Sequence, residues 1–284
     1  CDPSDSVGIL DRFHRDIEFT TSDEQFFEIV RQRNRRAMFE PIEYVAICSP
    51  NDLHMRHCSS TLLSDANAIC EKPLVIDPCD LDALQLLEQK TGRRVYTILQ
   101  LRLHEQLIAL KQSITHNAGC LRDVVVTYVT GRGQWYYASW KGAQHRSGGI
   151  AMNIGIHLFD LLIWLFGKPS LVKLYRSEPK RMSGVLMLES ARVRWFLSLD
   201  AADARLASSG NSHTTFRSIT VDGADIDFTD GITQLHQRAY ESILAGQGVG
   251  IGEARASIEL TERLRNIEIS PPDEHQHPLL LRGH

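Results

Sequence analysis

No G-x-G-x-x-G occurs anywhere in the 284 residues. That glycine turn, opening a helix after a strand, is how a doubly wound sheet usually cradles a dinucleotide's pyrophosphate on backbone N–H groups. Apolar runs are short as well: none approaches the roughly 20 residues of a membrane helix, and the N-terminus has no signal-peptide pattern, so a cytoplasmic protein with no membrane partner is expected. Positive charge is not in excess. Lys and Arg total 31 against 35 Asp and Glu, a formal net charge of −4. No global field gathers nucleic acid or acidic lipid, and an anionic ligand must be met by local cations. The six cysteines, at 1, 48, 58, 70, 79 and 120, include no C-x-x-C pair and no zinc-like cluster, so no metal centre is expected. Cys48 and Cys70 close apolar runs, where a reduced cysteine acts as a small buried hydrophobe, and the same reading extends to all six. Internal repeats and low-complexity tracts are absent too.

What is present is the grammar of two domains, which suits a chain of this length. Hydrophobic residues make up 43% and charged residues 23%, an ordinary globular balance. Between 43 and 100, "EYVAICS", "NAIC" and "RVYTILQ" are short apolar runs separated by helix-length stretches, the pattern of parallel strands with crossover helices. Asn51 is a candidate cap for "DLHMRHCSSTLL". Asp77 as cap, Pro78 at the first helical position and Gly92 as stop frame the next helix. After residue 120 the strands lengthen: "DVVVTYVTGRG", "SLVKLYRSE", "SGVLMLES", "RVRWFLSLD" and "FRSITVDGADIDF", with Asp222-Gly223 a strong hairpin signal. The expected fold is α/β: a Rossmann-like parallel sheet over residues 1–100, and over 101–284 a second α+β domain with a largely antiparallel open sheet, for substrate binding and oligomerisation. "NIGIHLFDLLIWLF", residues 153 to 166, is apolar almost all round and predicts one buried helix. Two amphipathic helices follow near the C-terminus.

Three stretches carry candidate chemistry. Ligands of open α/β sheets bind outside the carboxyl ends of the strands. "SPN" (Ser49 to Asn51) and "EKP" (Glu71 to Pro73) lie at two such ends, so Lys72 either caps a sheet rim or faces a ligand crevice. In "NIGIHLFD", Asn153 and His157 are four apart and share a helical face, with Asp160 one turn on. A histidine among so many apolar residues requires either a core partner or a ligand. "GRGQWYYASWKGAQHRSGG", residues 131 to 149, mixes aromatic faces with cations, as a sugar-nucleotide pocket needs and as many surface loops also do.

Together "CSPNDLH", "ICEKPL" and "NIGIHLFD" resemble the glucose-fructose oxidoreductase, inositol dehydrogenase and MocA family of nicotinamide-dependent dehydrogenases, over residues 1 to about 270. The likeness is closer to the WlbA or WbpB type of UDP-N-acetylglucosaminuronate 3-dehydrogenase, through "DSVGI", "ILQLR", "SWKG", "ARVRWFLS", "RSITV" and "ILAG". The resemblance implies NAD as cofactor and oxidation of the carbon-3 hydroxyl of the UDP-sugar, in the making of surface polysaccharide (O-antigen) sugars. It implies 2-oxoglutarate as a hydride acceptor and a homo-oligomer, dimer or tetramer. Lys72 and His157 would be catalytic. Asp2, Ser49, Asn51, His54, Glu71, Lys72, Gln100, Trp140 and Lys141 would bind the cofactor, with Asp2 on the adenosine ribose. Asn153 would hold the sugar with Lys72 and His157, and Arg132, Trp135 and Tyr136 would complete the substrate site. The Lys72-Pro73 bond is expected to be cis. Another sugar or inositol dehydrogenase of the family, or an inactive ligand-binding fragment, are the alternatives.

Two departures from the family pattern matter. Where many members carry aspartate four residues before the histidine, this chain has Asn153, which leaves proton removal to Lys72 or His157. Lysine's ordinary pKa near 10.4 must fall by about three pH units, about 4 kcal/mol, for that work, whereas histidine starts near ~6.5. The second departure is the missing glycine turn. With Asp2 at the end of the family's second strand, the expectation is a fragment of a longer product, lacking roughly 30 residues and binding NAD poorly. Residues 17–21, "IEFTT", would then be the third strand, making no ladder with 44–48.

Overall fold

The computed structural model describes residues 1–4, 17–36, 39–116, 119–208, 214–232 and 234–281. Helix α1 (Asp23–Arg35) is started by Ser22, whose side chain accepts from the Gln25 N–H; acidic residues in its first turn and arginines in its last complement the helix dipole. Then come β1 (Tyr44–Ile47), α2 (His54–Leu63), β2 (Asn67–Cys70), α3 (Cys79–Thr91) and β3 (Val95–Thr97). The strands are parallel, with Ile47 opposite Cys70 and Cys70 opposite Thr97. Gly92 ends α3 in the left-handed conformation, as expected. The start of α3 differs from expectation by one residue: Pro78 occupies the cap, and the Asp77 carboxylate accepts from the Cys79 N–H. Asn51 caps nothing. It opens a 3-10 turn, and its side chain is drawn across the molecule to other acceptors.

Helix α4 (Glu105–His116) leads into β4 (Arg122–Thr130), and four helices follow: α5 (Gln134–Ala138), α6 (Gln144–Ser147), α7 (Gly149–Asn153) and α8 (Gly155–Phe166). The rest of the chain runs β5 (Pro169–Ser177), β6 (Arg181–Leu188), β7 (Ala191–Ser198), α9 (Ala201–Ala207), β8 (Thr215–Val221), β9 (Ala224–Asp227), α10 (Leu235–Leu244), β10 (Val249–Gly250), α11 (Ile251–Asn266) and α12 (Pro278–Leu281). The second sheet has the order β5-β6-β7-β4-β8-β9. Its pairs are antiparallel except β4 with β7, so the largely antiparallel expectation holds with one parallel seam. Asp222 and Gly223 both have positive φ in the two-residue turn joining β8 to β9, as that hairpin type requires.

The segment read as one helix is two. The axis breaks at Ile154 and bends by 41° between the α6–α7 stretch and α8. Periodicity runs through the break because both pieces bury apolar residues on the second sheet. Gly155 permits the close approach: a Cβ there would stand 2.8 Å from the Phe159 ring and 2.9 Å from a Leu197 methyl. Phe159 in turn meets Trp195 of β7 edge-on, centroids 5.0 Å apart.

The C-terminal part returns to the first sheet, whose order is β1-β2-β3-β10. β10 pairs antiparallel with β3, Val249 opposite Thr97, and Ile251, Ala254 and Ile258 of α11 complete the core that holds Val45, Cys70, Leu84 and Val95. Met152 and Ile156 join the same core, so the two sheets share apolar contacts around the helix break.

Residues 17–20 form no strand. Thr20 donates its hydroxyl to Gln25 and its carbonyl accepts from the Asp2 N–H, so the segment serves as the run-in that starts α1. It makes no ladder with β1, which pairs with β2 at the sheet edge. The cysteine expectation needs correcting too: Cys58 and Cys70 are buried, but Cys1, Cys48, Cys79 and Cys120 are exposed. Cys48 has already passed the end of an edge strand, where little covers it. Among the described residues no single helix is long and apolar enough to cross a membrane, and no cluster of His, Cys, Asp and Glu could hold a metal ion.

Candidate active site

The carboxyl ends of β1 and β2 form a rim, and His54, the first residue of α2, ties its two loops together. Fully buried, its ring contacts the Pro73 carbonyl through Nδ1 at 2.7 Å and the Ser49 carbonyl through Nε2 at 2.9 Å. The Lys72-Pro73 bond between these contacts is cis. Lys72 is half-buried and donates from Nζ to the main-chain carbonyl of Asn153 at 2.6 Å. That carbonyl is free to accept because α7 stops there, and the last carbonyls of a helix have no partner within it. The helix break therefore supplies the lysine's anchor.

The Asn153 side chain faces a string of its own. It donates to the Tyr136 hydroxyl at 2.9 Å and accepts from Asn51 Nδ2 at 3.4 Å, while Asn51 also donates to the Ser147 carbonyl at 2.9 Å. Asn51, Tyr136 and Asn153 are all buried, so three of the expected ligand contacts form one packed link between the halves of the molecule. Asp160 lies outside the site: its carboxylate holds Arg102 through bonds of 2.8 and 2.6 Å.

In front of Lys72 is a cavity of about 160 Å³, lined by Lys72, Gln100, His157, Arg132 and Arg217 among others, and by no carboxylate. Gln100 Oε1 and His157 Nδ1 are buried without a hydrogen-bond partner among the described residues, which is uncommon for buried polar atoms. Burial pushes Lys72 down to about 8; Glu71 opposes this, and Arg132 and Lys141 add to it. Burial also drives His157 well below its ordinary value, helped by Lys72, Arg217 and His236. The imidazole is therefore neutral at physiological pH. Burial lowers Arg132 as well, with Arg217 contributing.

The other expected residues do not line this cavity and make contacts of their own. Lys141 Nζ lies over the rings of Trp135 and Trp140, 5.3 and 5.1 Å from their centroids, with Trp135 largely exposed. Ser49 Oγ meets His57 Nδ1 at 2.9 Å and Glu71 meets His236 Nε2 at 3.2 Å. Asp2 lies in no strand, and its carboxylate accepts from the Ser4 N–H. Sequence reasoning missed Arg217, Tyr128 and Thr130. Arg217 pairs across strands with Tyr128, its guanidinium 5.0 Å from the ring centroid, and donates to Thr130 Oγ1 at 3.3 Å. The signal was there: in "RSITV", Arg217 shares a strand face with buried Ile219 and Val221, and an arginine on a core face needs a reason.

The residues at the sheet rim fit the nicotinamide end of a dinucleotide, with Gln100 Oε1 offering an unused acceptor beside Lys72 and His157. Residues 2–99 match a family model described as oxidoreductase family, NAD-binding Rossmann fold, and residues 117–250 match its C-terminal alpha/beta domain. The WlbA (WbpB) dehydrogenase of Thermus thermophilus, solved with NAD and UDP-GlcNAcA, is 45% identical, with a TM-score of 0.92 over 98% of this chain and 89% of that one. A second structure of it, with NAD and alpha-ketoglutarate, superposes at 0.91 with the same identity and coverage. Of curated proteins, the D-glucoside 3-dehydrogenase of Escherichia coli K12 is 25% identical over 135 residues, 45% of this chain and 37% of its own length. This chain thus matches well under half the length of that relative. The two-sheet architecture, the lysine and histidine on one cavity and the likeness along both halves agree, and the chain belongs to the Gfo/Idh/MocA oxidoreductase family.

Proposed function

We propose that this chain is an NAD-dependent sugar dehydrogenase that oxidises the carbon-3 hydroxyl of UDP-N-acetylglucosaminuronate (UDP-GlcNAcA), a step toward surface-polysaccharide sugars. The observation that carries the reading is the cavity at Lys72, where a depressed lysine and a neutral histidine meet two arginines and no carboxylate. Bound NAD supplies the hydride acceptor. Lys72 is the base: at about 8 a useful fraction is neutral near pH 7 to 8, and with one N–H held by the Asn153 carbonyl its lone pair is left for the sugar hydroxyl. His157 is the poorer base, because its protonated form is strongly disfavoured; it serves as a neutral hydrogen-bonding partner that orients the hydroxyl. Arg132 and Arg217 bind the uronate carboxylate by charge-assisted hydrogen bonds. The same cations suit the carboxylates of 2-oxoglutarate as the acceptor in cofactor recycling, a reading the likeness to the enzyme solved with NAD and alpha-ketoglutarate supports. A neutral sugar or inositol leaves both arginines without an anion.

The test is turnover of UDP-GlcNAcA by the purified chain with NAD and 2-oxoglutarate, following the 3-keto sugar by NMR and 2-hydroxyglutarate by mass spectrometry. Both products should accumulate together. Oxidation of inositol or a neutral glucoside, with UDP-GlcNAcA untouched, would overturn the reading.

A further inference from the structure

Glu71 and Lys72 are neighbours in the chain, and their side chains go to different partners. Lys72 Nζ donates to the Asn153 carbonyl at the helix break, whereas Glu71 Oε1 lies 3.2 Å from Nε2 of His236, in the first turn of α10. An imidazole that faces a carboxylate through Nε2 donates from that nitrogen in either protonation state. The main chain fixes where Glu71 starts: its N–H donates to the Ile47 carbonyl at 2.9 Å, one residue past the end of β2. Tyr240, one turn further along α10, packs its ring against His236, centroids 5.6 Å apart, and rests on the cluster that includes Ile69 of β2. The start of α10 is also tied to the Lys72 cavity. Ile232, just ahead of the helix, lines that cavity, and α10 packs on the turn that carries Gln100.

A glutamate beside a lysine that must work without its proton is a liability, because an opposite charge nearby favours the protonated amine. Burial lowers Lys72 and Glu71 opposes that shift, while Arg132 and Lys141 add to it. Among the described residues, however, the ion pair of Glu71 is with His236 and not with Lys72. Other groups at this rim feel the same pair. Burial pushes Tyr240 up to about 12, with Cys48, Glu71 and Cys70 adding. His236 helps to lower His157, after burial, Lys72 and Arg217. The side chains of His236 and Glu71 are 49% and 26% exposed, so their pairing adds little to stability. Its consequence is for the charge beside Lys72.

We propose that His236 is a positioning residue: it holds the Glu71 carboxylate at α10 and so keeps the Lys72 amine out of an ion pair, free for the sugar hydroxyl. The amine is left with the Asn153 carbonyl as its anchor. Without His236 the carboxylate is free to turn toward Lys72, and the resulting ion pair stabilises the protonated, unreactive form. The assignment rests on the reading of Lys72 as the base.

The experiment reads Lys72 itself beside turnover. In protein isotope-labelled at lysine Cε, the Lys72 NMR signal is identified by its loss in Lys72→Met. Its titration is then followed in the unmodified chain, in His236→Ala, in His236→Gln and in His236→Ala combined with Glu71→Gln, and pH profiles of kcat for UDP-GlcNAcA are recorded for each. His236→Ala should move the Lys72 midpoint up by roughly half a pH unit or more and lower kcat at pH 7 about threefold, as the neutral fraction falls. His236→Gln, which keeps an N–H donor, should restore most of both. The combined variant should titrate at or below the parent's midpoint, because the carboxylate is gone. A midpoint unmoved in His236→Ala, or raised as much in the combined variant, overturns the role of His236 and leaves the proposed function standing. A midpoint that moves as expected while the kcat profile stays in place supports the hold of His236 on Glu71 and removes Lys72 as the base.

Discussion

With Lys72 at about 8, roughly one-tenth of it is neutral at pH 7 and half at pH 8. With Lys72 as the proposed base the neutral amine is the working form, so kcat should climb with pH and level off above about 8 in a pH–rate profile. Lys72→Met should abolish that rise and cost ~10²- to 10⁴-fold in turnover. A rise complete well below the ordinary histidine value, with activity flat through pH 7 to 9, would hand the role to His157 instead. Arg217 gives a second prediction: Arg217→Leu should raise KM for UDP-GlcNAcA by ~10- to 100-fold, the worth of a charged hydrogen bond, with a smaller effect on kcat. Equal KM values in variant and parent would remove Arg217 from substrate recognition. At this scale Lys72 and His157 were legible, because a lysine at a strand's carboxyl end and a histidine in an apolar helix are anomalies of position. Arg217 was harder to read, since its meaning depends on which strand lies opposite. His54 and Asn51 were assigned to ligand by resemblance, but the acceptors that hold their side chains, at Pro73, Ser49 and Ser147, are far away in sequence or hidden in backbone.

The break at Ile154 could not be read from a 3.6-residue period, because the buried apolar positions on either side keep that period through a bend. The alternation of strands and helices up to residue 100 was plain, since parallel strands buried on both faces are apolar throughout. What braces the second helix is Asp160, 2% exposed and held bidentate by Arg102. Asp160→Ala should leave the guanidinium facing a void and cost about 3–5 kcal/mol in urea denaturation. Replacing both partners with apolar residues should cost less. The C-terminal segment is held by a different device. Buried His277 accepts the Leu279 N–H at Nδ1, which leaves Nε2–H to donate to Thr127 Oγ1 at 3.2 Å. Burial, with Arg194 adding, pushes this imidazole down to about 3. Because its folded pKa lies below the unfolded value near 6.5, the stabilisation is present above about pH 6.5 and drains away as pH falls toward 3, by up to about 1.4 kcal/mol per pH unit. Thermal melts of the parent should therefore drop below pH 6.5, and His277→Gln should flatten that drop.

On the scale of the whole molecule, net negative charge coexists with a cavity that gathers cations, the local concentration the composition required of any anion-binding site. The two-sheet plan was visible in the change of strand length after residue 120. The order within the first sheet was not, because β10 is two residues long and no propensity marks it. Yet that strand and α11 after it close one side of the sheet that β1, β2 and β3 begin. This return has a temporal consequence. On the ribosome the chain emerges from its N-terminal side at roughly 5–20 residues per second, and Val249 follows its partner Thr97 by about 150 residues. For something on the order of 10 to 30 s the nascent first sheet has an unpaired edge at β3 and an uncovered apolar face where Ile251, Ala254 and Ile258 will later pack. The newborn chain is thus most in need of a chaperone's cover while its second sheet is still being made.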